Sequence, residues 1–188
     1  MMAMPLKRKE TRTMDNNKYL FMITGAPGSG KSTLASNLQE LAPKFVRPIA
    51  GVCEADGYWY ILGKGKYAFN PKLLWKAHKW CQDNARELMS KGKNLVVSNT
   101  SMRPRDRAAY FEMADEFGYD VVYIHLKAKH GNIHDCPKEV VKRMEGNYMG
   151  LTLDEMEYVV PEDEFSTEVK ELMKLVQDKT DQKMDFGW

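Results

Sequence analysis

The stretch Gly25-Ala26-Pro27-Gly28-Ser29-Gly30-Lys31-Ser32-Thr33 has the residue types and spacing needed to hold a polyphosphate. It fits G-x-x-x-x-G-K-S in register, between the apolar run 19–24 and a segment with helical spacing that starts at Leu34. Gly25, Gly28 and Gly30 allow the backbone to curl so that successive N–H groups converge on phosphate oxygens. The helix that follows adds its positive end. Lys31 can then reach the β- and γ-phosphates, and the Ser32 hydroxyl can ligate Mg²⁺. The chemistry implied is binding of ATP with its magnesium, and all nine residues are candidates for that contact.

What is done with the triphosphate depends on groups elsewhere. Asp56 follows the second strand candidate. In an open α/β sheet, ligands sit beyond the carboxyl ends of the strands, so Asp56 is expected to face the loop across a cleft. There it can take the proton of an attacking hydroxyl, or orient that hydroxyl; the alternative is an Asp that caps a loop. Ser98-Asn99-Thr100 ends the third strand candidate at the same edge, with polar groups suited to an acceptor or a metal. An ordinary P-loop NTPase places an acid there, and this chain has none. Mg²⁺ is therefore expected on Ser32, the phosphates and water, with a small contribution from Asn99. That absence weakens a motor-ATPase reading more than a kinase reading. Arg103, Arg105 and Arg107 open a helix and are either solvated or near the acceptor. Arg143 follows the last strand by a lid-like loop and can clamp the transferring phosphoryl.

The elements that would position these groups follow from periodicity. Tyr19–Thr24, a segment around 44–53, Asn94–Ser98 and Asp120–Leu126 read as strands. Helices are expected from Leu34, from Asn70-Pro71 to Gly92 with a buried stripe of Leu74, His78, Cys81, Ala85 and Leu88, and from Pro104 to Gly118. Thr152 and Glu155 form a capping box for a short helix, and residues 166 to about 178 form a last one. The alternation predicts an α/β, P-loop NTPase-type three-layer fold with a central, mainly parallel sheet and a helical lid. The expected organisation is a basic tail over 1–17, a kinase domain over 18–160, and a C-terminal helix with an acidic polar tail over 161–188.

Four segments together carry a family resemblance: GAPGSGKST, A-D-G-Y after the second strand, V-V-S-N-T-S-M-R-P-R before a helix, and V-V-K-R in the lid region. Over about 19–150 the chain resembles the bacteriophage polynucleotide 5′-kinase family and its small AAA-type ATP-binding relatives. The resemblance implies a phosphotransferase acting on an alcohol group, with Lys31 and Ser32 on ATP and Mg²⁺, Asp56 as general base and Arg143 as lid arginine. Departures matter: Trp59 stands where the phage enzyme has an arginine, Asn99 where it has an aspartate, and Gly146 and Asn147 where it has further lid arginines. The phage enzyme continues into a phosphatase domain with a D-x-D motif that these residues do not contain, so a 3′-phosphatase activity is not expected. A polynucleotide 5′-hydroxyl is the acceptor the resemblance implies. A hydroxymethylated pyrimidine in phage DNA, a small nucleotide-like metabolite, and a non-catalytic ATP-binding module stay open.

The segment Gly57–Asn70 reads as a long loop or irregular hairpin, with Tyr58, Trp59, Tyr60, Tyr67 and Phe69 among Lys64 and Lys66. It has two readings: rings that stack on bases beside phosphates, or rings that pack on the following helix. Tyr58, Trp59, Asn99, Thr100 and Arg103 are the candidate acceptor contacts. His125, His130, His134 and Cys136 lie close in sequence, but no convincing fourth ligand completes a zinc site, and a flexible polar loop is expected there. His78 is expected to be a core histidine.

Composition sets outer limits. A chain of 188 residues suits one domain. Its net charge is +2, yet residues 64–147 hold 16 Lys/Arg against 10 Asp/Glu, while 154–188 hold 4 against 11. The basic body can attract a polyanion such as nucleic acid; two solvated faces would give the same count. No apolar run approaches the ~20 residues of a membrane helix, the start has no secretory signal, and three scattered cysteines argue against a disulfide framework. A cytoplasmic protein with no membrane association and no obligate protein partner is expected.

Overall fold

The computed structural model describes residues 17–127 and 136–185. Four strands, β1 (Tyr19–Gly25), β2 (Ile49–Cys53), β3 (Asn94–Asn99) and β4 (Asp120–Leu126), form one parallel sheet in the order β2-β3-β1-β4. Parallel neighbours need crossovers, and helices supply them on both faces. The central strands β1 and β3 are buried along their whole length, as a sheet covered on both sides requires.

Strand alternation sends successive side chains to opposite layers. One face packs Leu20, Met22, Leu95 and Val97 against α3 (Leu74–Ser90) and α4 (Pro104–Phe117). The other packs Phe21, Ile23 and Val96 against α1 (Lys31–Leu41) and against Val169, Leu172 and Val176 of the C-terminal helix, Thr167–Asp185. That helix runs past its expected end near 178, and a buried bond from Asn37 Nδ2 to Thr180 Oγ1 (2.9 Å) ties it to α1. The three-layer α/β fold is the one expected.

Three local expectations need correction. The segment after Asp56 is not a hairpin. Turn bonds from Gly57 N to Glu54 O, Tyr58 N to Ala55 O and Trp59 N to Asp56 O, each 3.1 Å, wind it into a short helix, α2 (Gly57–Leu62). Three aromatic residues in a row hide helical periodicity. The stripe on α3 is also rotated: Ala77, Cys81, Ala85 and Met89 are buried, Leu74 is exposed and His78 is only half-buried. Cys81 and Ala85 are buried as expected, but the buried line continues to Ala77 and Met89, where the small Ala77 lets α3 approach the sheet closely. Asn70 caps a 3₁₀ turn, Pro71–Leu73, rather than α3 itself.

Beyond β4 the chain enters α5 (Lys138–Gly146) and α6 (Leu153–Met156). The Thr152–Glu155 capping box forms as expected, with Thr152 N donating to Glu155 Oε2 (2.9 Å) and Glu155 N to Thr152 Oγ1 (3.2 Å). Glu155 also meets Arg107, which is fully buried and therefore not solvated. The Arg107 Nε and Nη2 groups grip the Glu155 carboxylate at 2.8 and 2.9 Å. The other N–H groups donate to the carbonyls of Ser101 (3.2 Å), Met149 (3.0 Å) and Gly150 (3.1 Å). All five guanidinium donors are used, which clamps the chain leaving α5 onto the body.

Candidate active site

The P-loop leaves β1 at the carboxyl edge of the sheet. Gly25 adopts φ 153°, and a Cβ there would stand 2.4 Å from Leu126 O and 2.6 Å from Ser29 Oγ, so no side chain fits. Gly30 holds the left-handed conformation (φ 90°) that directs the chain into α1. Gly25 N donates to Thr100 O (3.3 Å), which binds the loop to the end of β3. Behind the loop, Thr24 Oγ1 shares hydrogen bonds with Tyr123 Oη (3.0 Å) and His125 Nδ1 (2.9 Å). His125 in turn stacks on Tyr148 at 3.5 Å. Burial, and then the charges of Arg107 and Lys127, hold this imidazole below its ordinary pKa. His125 thus packs beside the loop, and among the described residues it belongs to no group of three that could hold a metal. His130 and His134 lie outside the described residues.

Lys31 is the electrostatic centre of the site. Its ammonium donates to Ala26 O (2.9 Å). Burial pulls its pKa down to about 8, against the opposing charges of Asp56 and Glu54. A bound polyphosphate would stabilise the ammonium and raise that value again. Nucleotide affinity is therefore expected to fall as pH rises above 8, with proton uptake on binding there. Calorimetry in buffers of different ionisation enthalpy measures the uptake, which Lys31→Met removes. Uptake of the same size in that variant would assign the proton to another group.

Asp56 is exposed just after the carboxyl end of β2, where its charge acts on Lys31, and Tyr67 Oη donates to its Oδ1 (3.3 Å). Sequence reasoning missed its neighbour. Glu54 Oε1 accepts a hydrogen bond from Ser32 Oγ at 3.2 Å, so a carboxylate stands beside the hydroxyl expected to ligate Mg²⁺. The available signal was two acids within three residues after β2, of which only the second was singled out.

The expected acceptor residues divide. Asn99, only 7% exposed, turns away from the cleft. Its Oδ1 accepts from Ala55 N (2.9 Å), and its Nδ2 approaches Cys81 Sγ and Tyr110 Oη (3.4 Å each). It fixes the start of the Asp56 turn and is not placed to help a metal. Trp59 is 1% exposed and packs edge-on against Tyr58 (5.4 Å) and Phe69 (5.2 Å), so it is core. Tyr58 is half-buried near Trp80. Thr100 and Arg103 stay at the strand edge, half-buried, with Arg103 N capping α4 through Asp106 Oδ2 (3.1 Å). Arg143 is exposed on α5. The exposed rings are Tyr60, Tyr67, Phe69 and Trp75, with Lys76 Nζ 5.5 Å from the Trp75 ring centre.

The site suits ATP and magnesium. A loop whose Gly25 leaves no room for a Cβ, a desolvated ammonium and hard oxygen donors at Ser32 and Glu54 match a polyphosphate with a hard cation. Among the described residues no group of three His, Cys, Asp or Glu could hold a metal alone. A cavity of about 310 Å³ lined by Asn17, Tyr19, Phe45 and Arg47 lies at the opposite end of β1.

Comparison with known proteins agrees with this geometry. The family described as AAA domain (AAA_33) matches residues 20–145, which run from β1 through α5. The chain belongs to this family. Its P-loop, parallel sheet and β2 acids all lie inside the matched region. NEDD4-binding protein 2 of Homo sapiens is 33% identical over 139 residues, covering 69% of this chain and 8% of that protein. The 2′,3′-cyclic-nucleotide 3′-phosphodiesterase of Rattus norvegicus is 29% identical over 150 residues, 79% of this chain and 32% of that protein. The chain therefore spans less than a third of either relative. The solved structure of APE1195 shares the fold, with a TM-score of 0.50 and 19% identity over 88% of this chain and 96% of that one. The family shown is this AAA domain, a coarser assignment than the bacteriophage polynucleotide kinases that the sequence resembles. Among the described residues no helix is long and apolar enough to cross a membrane.

Proposed function

We propose that this AAA-domain protein is an ATP-dependent kinase that transfers the γ-phosphate to a hydroxyl of a nucleic acid, most plainly a polynucleotide 5′-hydroxyl. The observation that carries the reading is Asp56: an exposed carboxylate at the carboxyl end of β2, close enough to the P-loop for its charge to act on Lys31. A hydrolytic motor needs an acid at the end of β3, where this chain has Ser98-Asn99. A kinase needs in-line positioning and a group to receive the acceptor's proton.

In this reading the backbone N–H groups of Gly25–Ser32 and the Lys31 ammonium hold the phosphates, and Ser32 ligates Mg²⁺. The metal's contribution is to neutralise charge on the β- and γ-phosphate oxygens. Asp56 accepts the proton of the attacking hydroxyl, and Arg143 on α5 clamps the transferring group when the lid side closes. Support for a nucleic-acid acceptor comes from the surface beside Asp56. Exposed Tyr60, Tyr67, Phe69 and Trp75 stand among Lys64, Lys66, Lys72 and Lys76. Rings interleaved with cations suit stacked bases and backbone phosphates. The rat relative's name places that protein on 2′,3′-cyclic nucleotides, which lends support to a nucleotide-like acceptor class.

An acceptor screen with γ-labelled ATP tests the reading. Label is expected on single-stranded oligonucleotides with a free 5′-hydroxyl, with affinity for them dropping steeply as salt rises. Label only on hydroxymethylpyrimidine DNA, or only on nucleosides with little salt dependence, would replace the acceptor. Tight ATP binding with no label on any acceptor would make the protein a nucleotide-binding module.

A further inference from the structure

We infer that Glu54 carries the magnesium-side charge of this site, in place of the acid that P-loop NTPases hold at the end of β3. The inference rests on the proposal that the site binds ATP with Mg²⁺. It begins with Ser98. Along β3, Val96 packs with Leu34 and Leu38 of α1, whereas Val97 packs with Cys81 on the other face. Asn99 also reaches the other face, touching Cys81 and Tyr110. Alternation therefore turns Ser98 to the P-loop face at the carboxyl end of the strand. This is where a P-loop NTPase keeps the carboxylate that works with the P-loop hydroxyl on the metal. Ser98 is 4% exposed, and its Oγ finds no hydrogen-bond partner among the described residues. It is a buried polar group without a charge, in the position where a charge is normally needed.

Glu54 restores that charge from the neighbouring strand. The last β2–β3 pair is Cys53 with Val97, so Glu54 and Ser98 occupy matching positions one residue farther on. Val52 packs on the α1 face and Cys53 on the opposite one. Glu54 thus shares its face with Ser98, and Ser32 Oγ donates to its Oε1 at 3.2 Å. Its charge also acts on Lys31. Magnesium that keeps phosphate oxygens and waters needs only one or two carboxylates, which matches a single acid beside Ser32. The two acids after β2 then divide the work. Glu54 faces the P-loop hydroxyl and the metal, and the exposed Asp56 is left for the acceptor.

The test uses the full chain and a readout independent of phosphoryl transfer: Mn²⁺ titrated against the ADP-bound protein by electron paramagnetic resonance. Glu54→Gln is expected to weaken Mn²⁺ binding by ~10–100-fold, the usual effect of removing a group that supports a metal site. Metal-free ADP should bind at least as tightly as to wild type, because the repulsion between a carboxylate and the phosphates is removed, and Glu54→Ala is a second variant if Glu54→Gln folds poorly. Adding Ser98→Asp to Glu54→Gln should recover most of the Mn²⁺ affinity, because it returns an acid to β3. Wild-type Mn²⁺ binding in Glu54→Gln would overturn the assignment, and so would a double variant no better than the single one. A wild-type chain that binds no ADP would overturn this inference together with the kinase reading. Normal Mn²⁺ linkage without phosphoryl transfer would remove the kinase reading alone.

Discussion

Asp56→Asn is expected to slow phosphoryl transfer by ~10²–10⁴-fold while leaving ATP affinity intact. Asparagine keeps the shape and can still meet Tyr67 Oη, but it cannot accept a proton from the attacking hydroxyl. The backbone of the turn is held by Ala55 N on Asn99 Oδ1, which the substitution does not touch, so the fold should be unchanged. Single-turnover kinetics, with nucleotide binding measured in parallel, separate the two effects. Transfer at the wild-type rate would remove Asp56 from its role. A parallel loss of ATP binding would show that the carboxylate mainly organises the P-loop side.

Arg107→Met is expected to cost about 3–5 kcal/mol of stability, the range for breaking a buried ion pair from one side. The methionine fills much of the volume but leaves the carbonyls of Ser101, Met149 and Gly150 without the guanidinium, and the Glu155 carboxylate with only Thr152 as a partner. At ~2–4 °C per kcal/mol for a chain of this size, the melting temperature should fall by roughly 6–20 °C. Arg107→Met with Glu155→Met should recover much of the loss, since no charge is then left buried and unpaired. The pair also gives stability a defined pH dependence. Burial alone would push the Glu155 carboxyl up, but its bonds to Arg107 and Thr152 hold it below the ordinary carboxylate range. A depressed folded-state pKa contributes stability above the unfolded value of about 4.3, and that contribution is lost as pH falls through the folded value. The wild-type acid transition should therefore be steeper than that of the double methionine variant. Hydrogen exchange in 147–156 reads the same clamp locally, and unchanged protection in Arg107→Met would show that the strap is held by other contacts.

How legible this protein was in its sequence differs from one residue to the next. The P-loop, the four strands, the α/β layering and the Thr152–Glu155 box each rest on short-range rules: a fixed spacing, a period of two or 3.6, or a cap three residues from its partner. Such rules need no knowledge of what packs against the segment, and the structure follows them. The basic stretch at 103–107 shows the limit. Arg103, Arg105 and Arg107 look alike in sequence, yet Arg107 alone is buried, because Glu155 and two carbonyls from a segment more than 40 residues away converge on it. The run of three rings at 58–60 is similar. Composition could not say which ring faces inward, and the short helix α2 decided it by dropping Trp59 into the core while leaving Tyr60 outside.

The glycine-rich loop with which the sequence begins its functional content was determined by the sequence alone, since a backbone cradle depends on glycine positions and little else. The division of labour among the polar groups around it was decided only by tertiary structure. Asn99 and Ser98 are adjacent in the chain, but the pleat of β3 turns one toward α3 and the other toward the P-loop. The pairing of β2 with β3 then brings Glu54, 22 residues from Ser32 in sequence, to the hydroxyl it meets. Which strand edge lies beside which is a property of long-range packing, and no spacing within the chain encodes it.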